Sequence, residues 1–226
     1  MKILFFIFSL TSFIFVTSCS HSSLDNKLMI TTATSGLMED PRIPFPVYLT
    51  NSLESKSLLE KKYSSGLFLI HTGHFLKPDR SKSENEQTMV SLSALGFDLV
   101  NITLEDFEIA ELQGIYFSSY DLHFLNSSVV DLSTDELVRE KNISPFIIQE
   151  GIAFVGLSDR TAAENLPREK FIVSDYVLSV LKGKKAALKM ASPLTLRSFV
   201  IVHTIGSDID DVMGRLPPHF INSKAN

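Results

Sequence analysis

One long apolar run opens the chain: residues 3–16, ILFFIFSLTSFIFV. Beyond it, apolar positions come in shorter groups divided by polar ones. Residues 28–34 (LMITTAT) are β-rich, and 67–72 (LFLIHT) read as a strand buried on both faces because they do not alternate. The pattern predicts a helix over 52–63. Ser83 and Glu86 have capping-box spacing, so a helix is expected to start there, carry Met89, Leu92 and Leu95, and stop at Gly96. Residues 97–102 (FDLVNI) form the next expected strand and 104–112 the next helix. Strand-like runs then follow closely at 114–118, 123–130, 145–149 and 152–157, and Glu150-Gly151 suggests a hairpin between the last two. A helix is expected over 174–189, with Val177, Val180, Leu181 and Leu188 on one side. A buried strand follows at 198–204 (SFVIVHT). A second capping box, Ser207 to Asp210, opens a short helix over 207–216 that Pro217-Pro218 ends. Strand–helix alternation at both ends with a meander between predicts an α/β (α+β) layered sandwich.

The opening run decides the compartment. Met1-Lys2 supplies a positive start, and the run is shorter than the roughly 20 apolar residues a spanning helix needs. Val16-Thr17-Ser18-Cys19 resembles a bacterial lipobox, and Cys19 is the only cysteine in the chain. The expectation is a lipoprotein signal peptide over 1–18, acylation of Cys19, a polar tether over 19–27, and a folded domain over 28–226. Acylation also explains why a lone cysteine is tolerated in an oxidising exterior. The position after Cys19 is Ser20 rather than Asp, which favours the outer membrane of the cell envelope over the inner one. In a bacterial lipoprotein the triplets at Asn101, Asn126 and Asn142 carry no glycosylation reading.

Composition narrows the function classes. One cysteine cannot form a disulfide within the chain. Apolar residues make up 44% of the chain and the net charge is −5, which argues against disorder and against nucleic acid as a partner. The mean hydropathy of +0.15 owes much to the removable leader.

Six segments, taken in order, resemble the calcineurin-like metallophosphoesterases in their 5′-nucleotidase branch. They are LMITTATSG, LFLIHTGHFL, ALGFDLVNITLEDFE, FLNSSVVD, ISPFIIQEGIAFVGLSD and FVIVHTIGSDIDD. The third matches best, against the family's A-L-G-Y-D-A-V-T-L-G-N-H-E-F-D. The resemblance implies an αββα sandwich with mixed sheets. It also implies a reaction in which two metal ions polarise a phosphoryl group for attack by bound water. The residues implied for those metals are replaced. The first-strand Asp falls on Ala33 and its His on Ser35. The second-strand Asp, which bridges the metals, falls on His74. The third-motif Asn and His fall on Leu104 and Glu105. A later His falls on Thr204, with His203 one residue earlier. A final G-H-x-H is implied after Phe220 and is not in the sequence.

The reading is therefore an envelope lipoprotein with a degenerate, truncated 5′-nucleotidase-like domain, a pseudoenzyme serving as a binding or structural module. No catalytic residue and no cofactor is expected. Its partners would be the membrane, through the lipid anchor, and an unidentified protein or small molecule. The alternative is a phosphomonoester or nucleotide hydrolase with a rebuilt divalent-metal site from His71, His74 and Asp106. A third possibility is one half of a split gene product. Glu150, Asp159, Arg160 and Arg168 read as solvated surface. Lys182-Gly183-Lys184-Lys185 reads as an exposed helix face, with anionic lipid head groups as the alternative.

Overall fold

A computed structural model describes residues 13–14, 28–32, 67–149, 151–160, 170–191, 196, 198–203, 208–209 and 212. The expected helix over 52–63 lies outside them, as do most of 207–216 and the positions Ala33, Ser35, Glu150, Arg168 and Thr204.

The strands are β1 (Phe13–Ile14), β2 (Leu28–Thr32), β3 (Leu67–His71), β4 (Leu99–Asn101), β5 (Phe124–Leu125), β6 (Val129–Asp131), β7 (Glu136–Leu137), β8 (Ile143–Ser144), β9 (Ile147–Gln149), β10 (Ile152–Gly156), β11 (Phe171–Val173) and β12 (Ser198–Val202). The helices are α1 (Lys82–Ala94), α2 (Leu104–Gln113) and α3 (Tyr176–Met190). One sheet runs β1-β2-β3-β4-β5-β8, a second β12-β10-β9, and a third β11-β6-β7. From β2 to β8 the large sheet is parallel, with Thr32 beside His71 and His71 beside Val100. In the second sheet β10 pairs parallel with β12 and antiparallel with β9. This mixture of parallel and antiparallel pairing is the mixed α/β class that the segment order predicts.

Alternation along each strand builds the layers. Ile70, Leu99 and Leu125 of the large sheet meet Phe154, Val200 and Val202 of the second sheet in one buried cluster. Val100 and Phe124 point the other way, into a cluster with Met89 and Leu92 of α1 and Phe107 and Ile109 of α2. Three rings anchor that side: Phe117 lies 5.2 Å from Phe124, and Phe75 lies 6.3 Å from each. Burying one such ring stabilises the fold by about 1.5–3 kcal/mol. On the far side of the second sheet, Ala153 packs with Ala187 of α3. The order is helices, sheet, sheet, helix.

Close approach across the sandwich depends on two glycines. A Cβ on Gly156 would meet Leu125 Cβ at 2.6 Å and also overlap Asn101 Oδ1, so β10 lies tight against β4 and β5. A Cβ on Gly183 would meet Val155 Cγ2 at 2.9 Å, which lets α3 sit close on β10.

Four local expectations need correction. Ser81, not Ser83, caps α1: Glu84 N donates to Ser81 Oγ at 3.4 Å and Ser81 N donates to Glu84 Oε2 at 2.8 Å. The S-x-x-E spacing occurs twice in this stretch, and the earlier copy is used. Within 114–118, Gly114 ends α2 at φ 62° and Phe117–Ser119 winds into a 3₁₀ turn instead of a strand. The run 123–130 is two strands in different sheets. Asn126 turns the chain between them, its Oδ1 accepting from Val129 N at 2.8 Å and its Nδ2 donating to Val129 O at 2.9 Å. Finally, α3 buries Tyr176, Val180, Gly183 and Ala187, whereas Leu181 is 40% exposed. Small residues set the contact face, which a search for large apolar side chains overlooks.

Candidate functional site

The carboxyl ends of β3, β4 and β10 come together, the place where open α/β sheets present their ligand sites. Asn101, the last residue of β4, ties them: its Nδ2 donates to Thr72 O at 3.0 Å and to Leu157 O at 2.8 Å. Three loops therefore share one buried carboxamide.

His74 lies at the centre. Its backbone has φ 58°, a left-handed conformation uncommon for a side chain of this size. The residue is 8% exposed. Nδ1 is 2.6 Å from Glu105 Oε2, and Nε2 is 2.9 Å from Asp159 Oδ2. Burial works against a charge on the ring, but hydrogen bonds to Asp159 and Glu105 outweigh it, with the charges of Asp106 and Asp159 adding, so its pKa is pushed up to about 10. At neutral pH His74 is an imidazolium with both ring N–H groups donating to carboxylates.

Asp106 is occupied differently. Its Oδ2 accepts from His74 N at 3.0 Å, Thr103 N at 3.0 Å and Thr103 Oγ1 at 2.7 Å, and its Oδ1 accepts from Leu76 N at 2.9 Å. Thr103 and Asp106 form the capping box of α2, and the same carboxylate pins the loop that carries His74. Burial pushes the Asp106 pKa up, against the pull of His74 and of these hydrogen bonds.

His71 faces the helices. Its Nδ1 accepts from Gly73 N at 3.1 Å, and its ring meets Phe75 and Phe97 edge-on at 5.7 and 5.5 Å between centroids. Burial first, then the positive charge of His74 and that of Lys77, lowers its pKa to about 3. It is a neutral ring in an aromatic wall.

His71, His74 and Asp106 therefore do not fit a divalent ion. One imidazole is turned back on its own loop, the other uses both nitrogens on carboxylates, and Asp106 uses both oxygens on backbone and hydroxyl donors. Among the described residues, no group of three or more His, Cys, Asp or Glu could hold a metal.

One residue of the site departs from its sequence reading. Asp159 reads as solvated surface, yet it is 3% exposed and clamps His74. The available signal was the polar pair Ser158-Asp159 at the end of the apolar β10 strand. Ser158 accepts from Leu104 N at 2.6 Å and donates to Asp159 O at 2.8 Å, linking α2 to that strand end. Arg160 is exposed, as expected, and its guanidinium lies 4.9 Å from the Tyr176 ring centroid. The Tyr176 hydroxyl donates to the Asp208 carboxylate at 2.8 Å. Burial and that carboxylate keep the phenol protonated. Asp159 Oδ1 and Asn101 Oδ1 are buried acceptors with no donor among the described residues. Asn101, Asn126 and Asn142 all hold backbone: the Asn142 Nδ2 lies 2.9, 3.1 and 3.2 Å from the carbonyls of Phe117, Tyr120 and Leu122.

No protein-family model matches the sequence, and no curated protein does. Solved structures do match. The sulfate thiohydrolase SoxB of Thermus thermophilus, in complex with glycerol, superposes with a TM-score of 0.58 at 13% identity, covering 74% of this chain and 31% of that one. The NAD nucleotidase NadN of Haemophilus influenzae superposes with a TM-score of 0.52 at 14% identity, covering 73% of this chain and 30% of that one. The chain thus spans less than a third of either neighbour. The described residues share the mixed α/β fold of these two neighbours, which are metallophosphoesterase-fold structures.

Proposed function

We propose that the chain is a bacterial envelope lipoprotein, tethered through Cys19, whose metallophosphoesterase-fold domain is a non-catalytic binding or structural module. The observation that supports it is an inversion of charge. At the position where the family resemblance implies a carboxylate bridging two cations, His74 is a cation bridging two carboxylates, Glu105 and Asp159, at 2.6 and 2.9 Å. A buried positive charge there repels a divalent ion and satisfies the acidic groups that would otherwise attract one. His74 also keeps no free nitrogen with which to take a proton from water.

The deciding experiment measures metal content and phosphoester turnover on the purified full chain, with Mn²⁺, Zn²⁺ and Mg²⁺ supplied in turn. The expected result is no stoichiometric metal and no turnover of a generic phosphomonoester or nucleotide. Two bound ions with turnover that His74→Ala abolishes would overturn the proposal in favour of a rebuilt hydrolase. The tether is tested separately. Cys19→Ser should abolish acylation and removal of residues 1–18, and the mass of the wild type should exceed that of residues 19–226 by its acyl chains.

A further inference from the structure

α3 is the outer layer of the sandwich, over β10, and its two sides differ in chemistry. Tyr176, Val180, Gly183 and Ala187 face inward. Leu178, Leu181, Lys182, Lys185 and Lys189 are all exposed, and at 3.6 residues per turn they fall in one sector of the helix. Between Tyr176 and Met190 there are four lysines and no acidic residue, in a chain whose net charge is −5. Among the described residues, no carboxylate pairs with Lys182, Lys185 or Lys189, unlike Lys82 with Glu86 and Lys170 with Glu111.

A face built only for solvent has no use for Leu178 and Leu181, which stay 47% and 40% exposed at the N-terminal end of the lysine stripe. Leucines sharing one helix sector with lysines suit a plane that is anionic at its surface and apolar just beneath. The leucines enter the apolar layer while the lysine stems lie along it and lift their ammonium groups to phosphate depth. We propose that this face of α3 docks on a lipid bilayer bearing anionic head groups. The proposal rests on the tether reading only for proximity, since anchoring at Cys19 would hold the domain beside such a surface.

The test is partitioning of the full chain between buffer and two kinds of vesicle: phosphatidylcholine alone, and phosphatidylcholine mixed with phosphatidylglycerol. The apolar N-terminal run and any acyl chain act on both, so the ratio of the two partition coefficients isolates the electrostatic contribution. The wild type should prefer the anionic vesicles, and the preference should fade with added salt. Combining Lys182→Gln, Lys185→Gln and Lys189→Gln should lower the ratio roughly 100-fold, at about 5-fold per lysine. The corresponding Glu variant should lower it further, and Lys141→Glu, a charge change on the exposed turn before β8, should leave it unchanged. Unaltered circular dichroism keeps the Gln variant interpretable. A ratio near unity for the wild type, or one that the Gln variant does not move, overturns the proposal. So does displacement of the chain from anionic vesicles by a single-stranded oligonucleotide. Weak binding to phosphatidylcholine vesicles with the ratio intact would count against the tether and not against α3.

Discussion

His71 and His74 sit on one short stretch of chain, both buried, and their environments drive them to opposite charge states. At His71, burial among Phe75 and Phe97 leaves a neutral ring whose pKa is lowered to about 3. At His74, comparable burial meets Glu105 and Asp159 on both nitrogens, and the pKa rises to about 10. Desolvation penalises the ion at both places, so burial by itself does not decide the charge. The partners that the fold brings from α2 and from the end of β10 decide it. The two rings are also coupled, because the charge on His74 helps to keep His71 neutral. The pair behaves as a charged clamp backed by an apolar wall.

The largest effect should come from removing the cation. His74→Asn is the informative change, because Asn tolerates a positive φ better than most residues and so removes charge without adding backbone strain. It leaves Glu105 and Asp159 facing each other, partly buried, with no counter-charge. The cost should be about 3 kcal/mol, read as a lower midpoint in urea unfolding at neutral pH. A loss under about 0.5 kcal/mol would mean that water already solvates the two carboxylates and that the clamp is not what orders this corner.

The pH dependence should separate the two rings. A group whose folded pKa is raised, as at His74, gives stability that is fully present below its unfolded value of 6.5 and is lost as pH climbs through about 10. A group whose folded pKa is lowered, as at His71, gives stability that is present above 6.5 and is lost as pH falls towards about 3. The difference in unfolding free energy between wild type and His74→Asn should therefore shrink on the alkaline side, at up to about 1.4 kcal/mol per pH unit. The difference between wild type and His71→Leu should change on the acid side alone. Taking differences removes the titrations the proteins share. Parallel curves for wild type and His74→Asn above neutrality would place an uncharged ring at His74.

The fold was more legible than the site, and for a physical reason. Strand order follows from local signals, such as the non-alternating LFLI run, the helix stop at Gly96 and the turn signal of Glu150-Gly151 between two apolar runs, each contained within a few residues. The site depends on separations of 31 residues between His74 and Glu105 and 85 between His74 and Asp159. Only the polar pair Ser158-Asp159 at the end of the apolar β10 strand signals locally that Asp159 is buried, and a charged residue beside a predicted turn is ordinarily solvated. Asp106 shows the converse error. As an acid beside a strand end it resembles a metal ligand, whereas Thr103 three residues earlier makes it half of a capping box. That spacing was visible in the sequence. Strands as short as Phe124–Leu125 and Val129–Asp131 look continuous in sequence because Asn126 turns the chain through side-chain hydrogen bonds and not through a glycine or proline.

The smallest expected effect tests whether wall and clamp are separable. Phe97→Ala removes one of the two rings that meet His71 edge-on. Loss of such an aromatic contact costs roughly 0.5–1.5 kcal/mol beyond the area it uncovers. The more diagnostic readout is the titration of each imidazole by NMR. Water reaching His71 reduces its desolvation, so its pKa should rise from about 3 towards the ordinary histidine value. His74 has its two carboxylates on other elements, α2 and the end of β10, and should stay charged across neutral pH. A fall in the His74 pKa of the same size as the rise at His71 would show that the aromatic wall, and not only the carboxylates, holds the clamp in place. The two histidines would then titrate as one linked unit, and their contrast would belong to the pair.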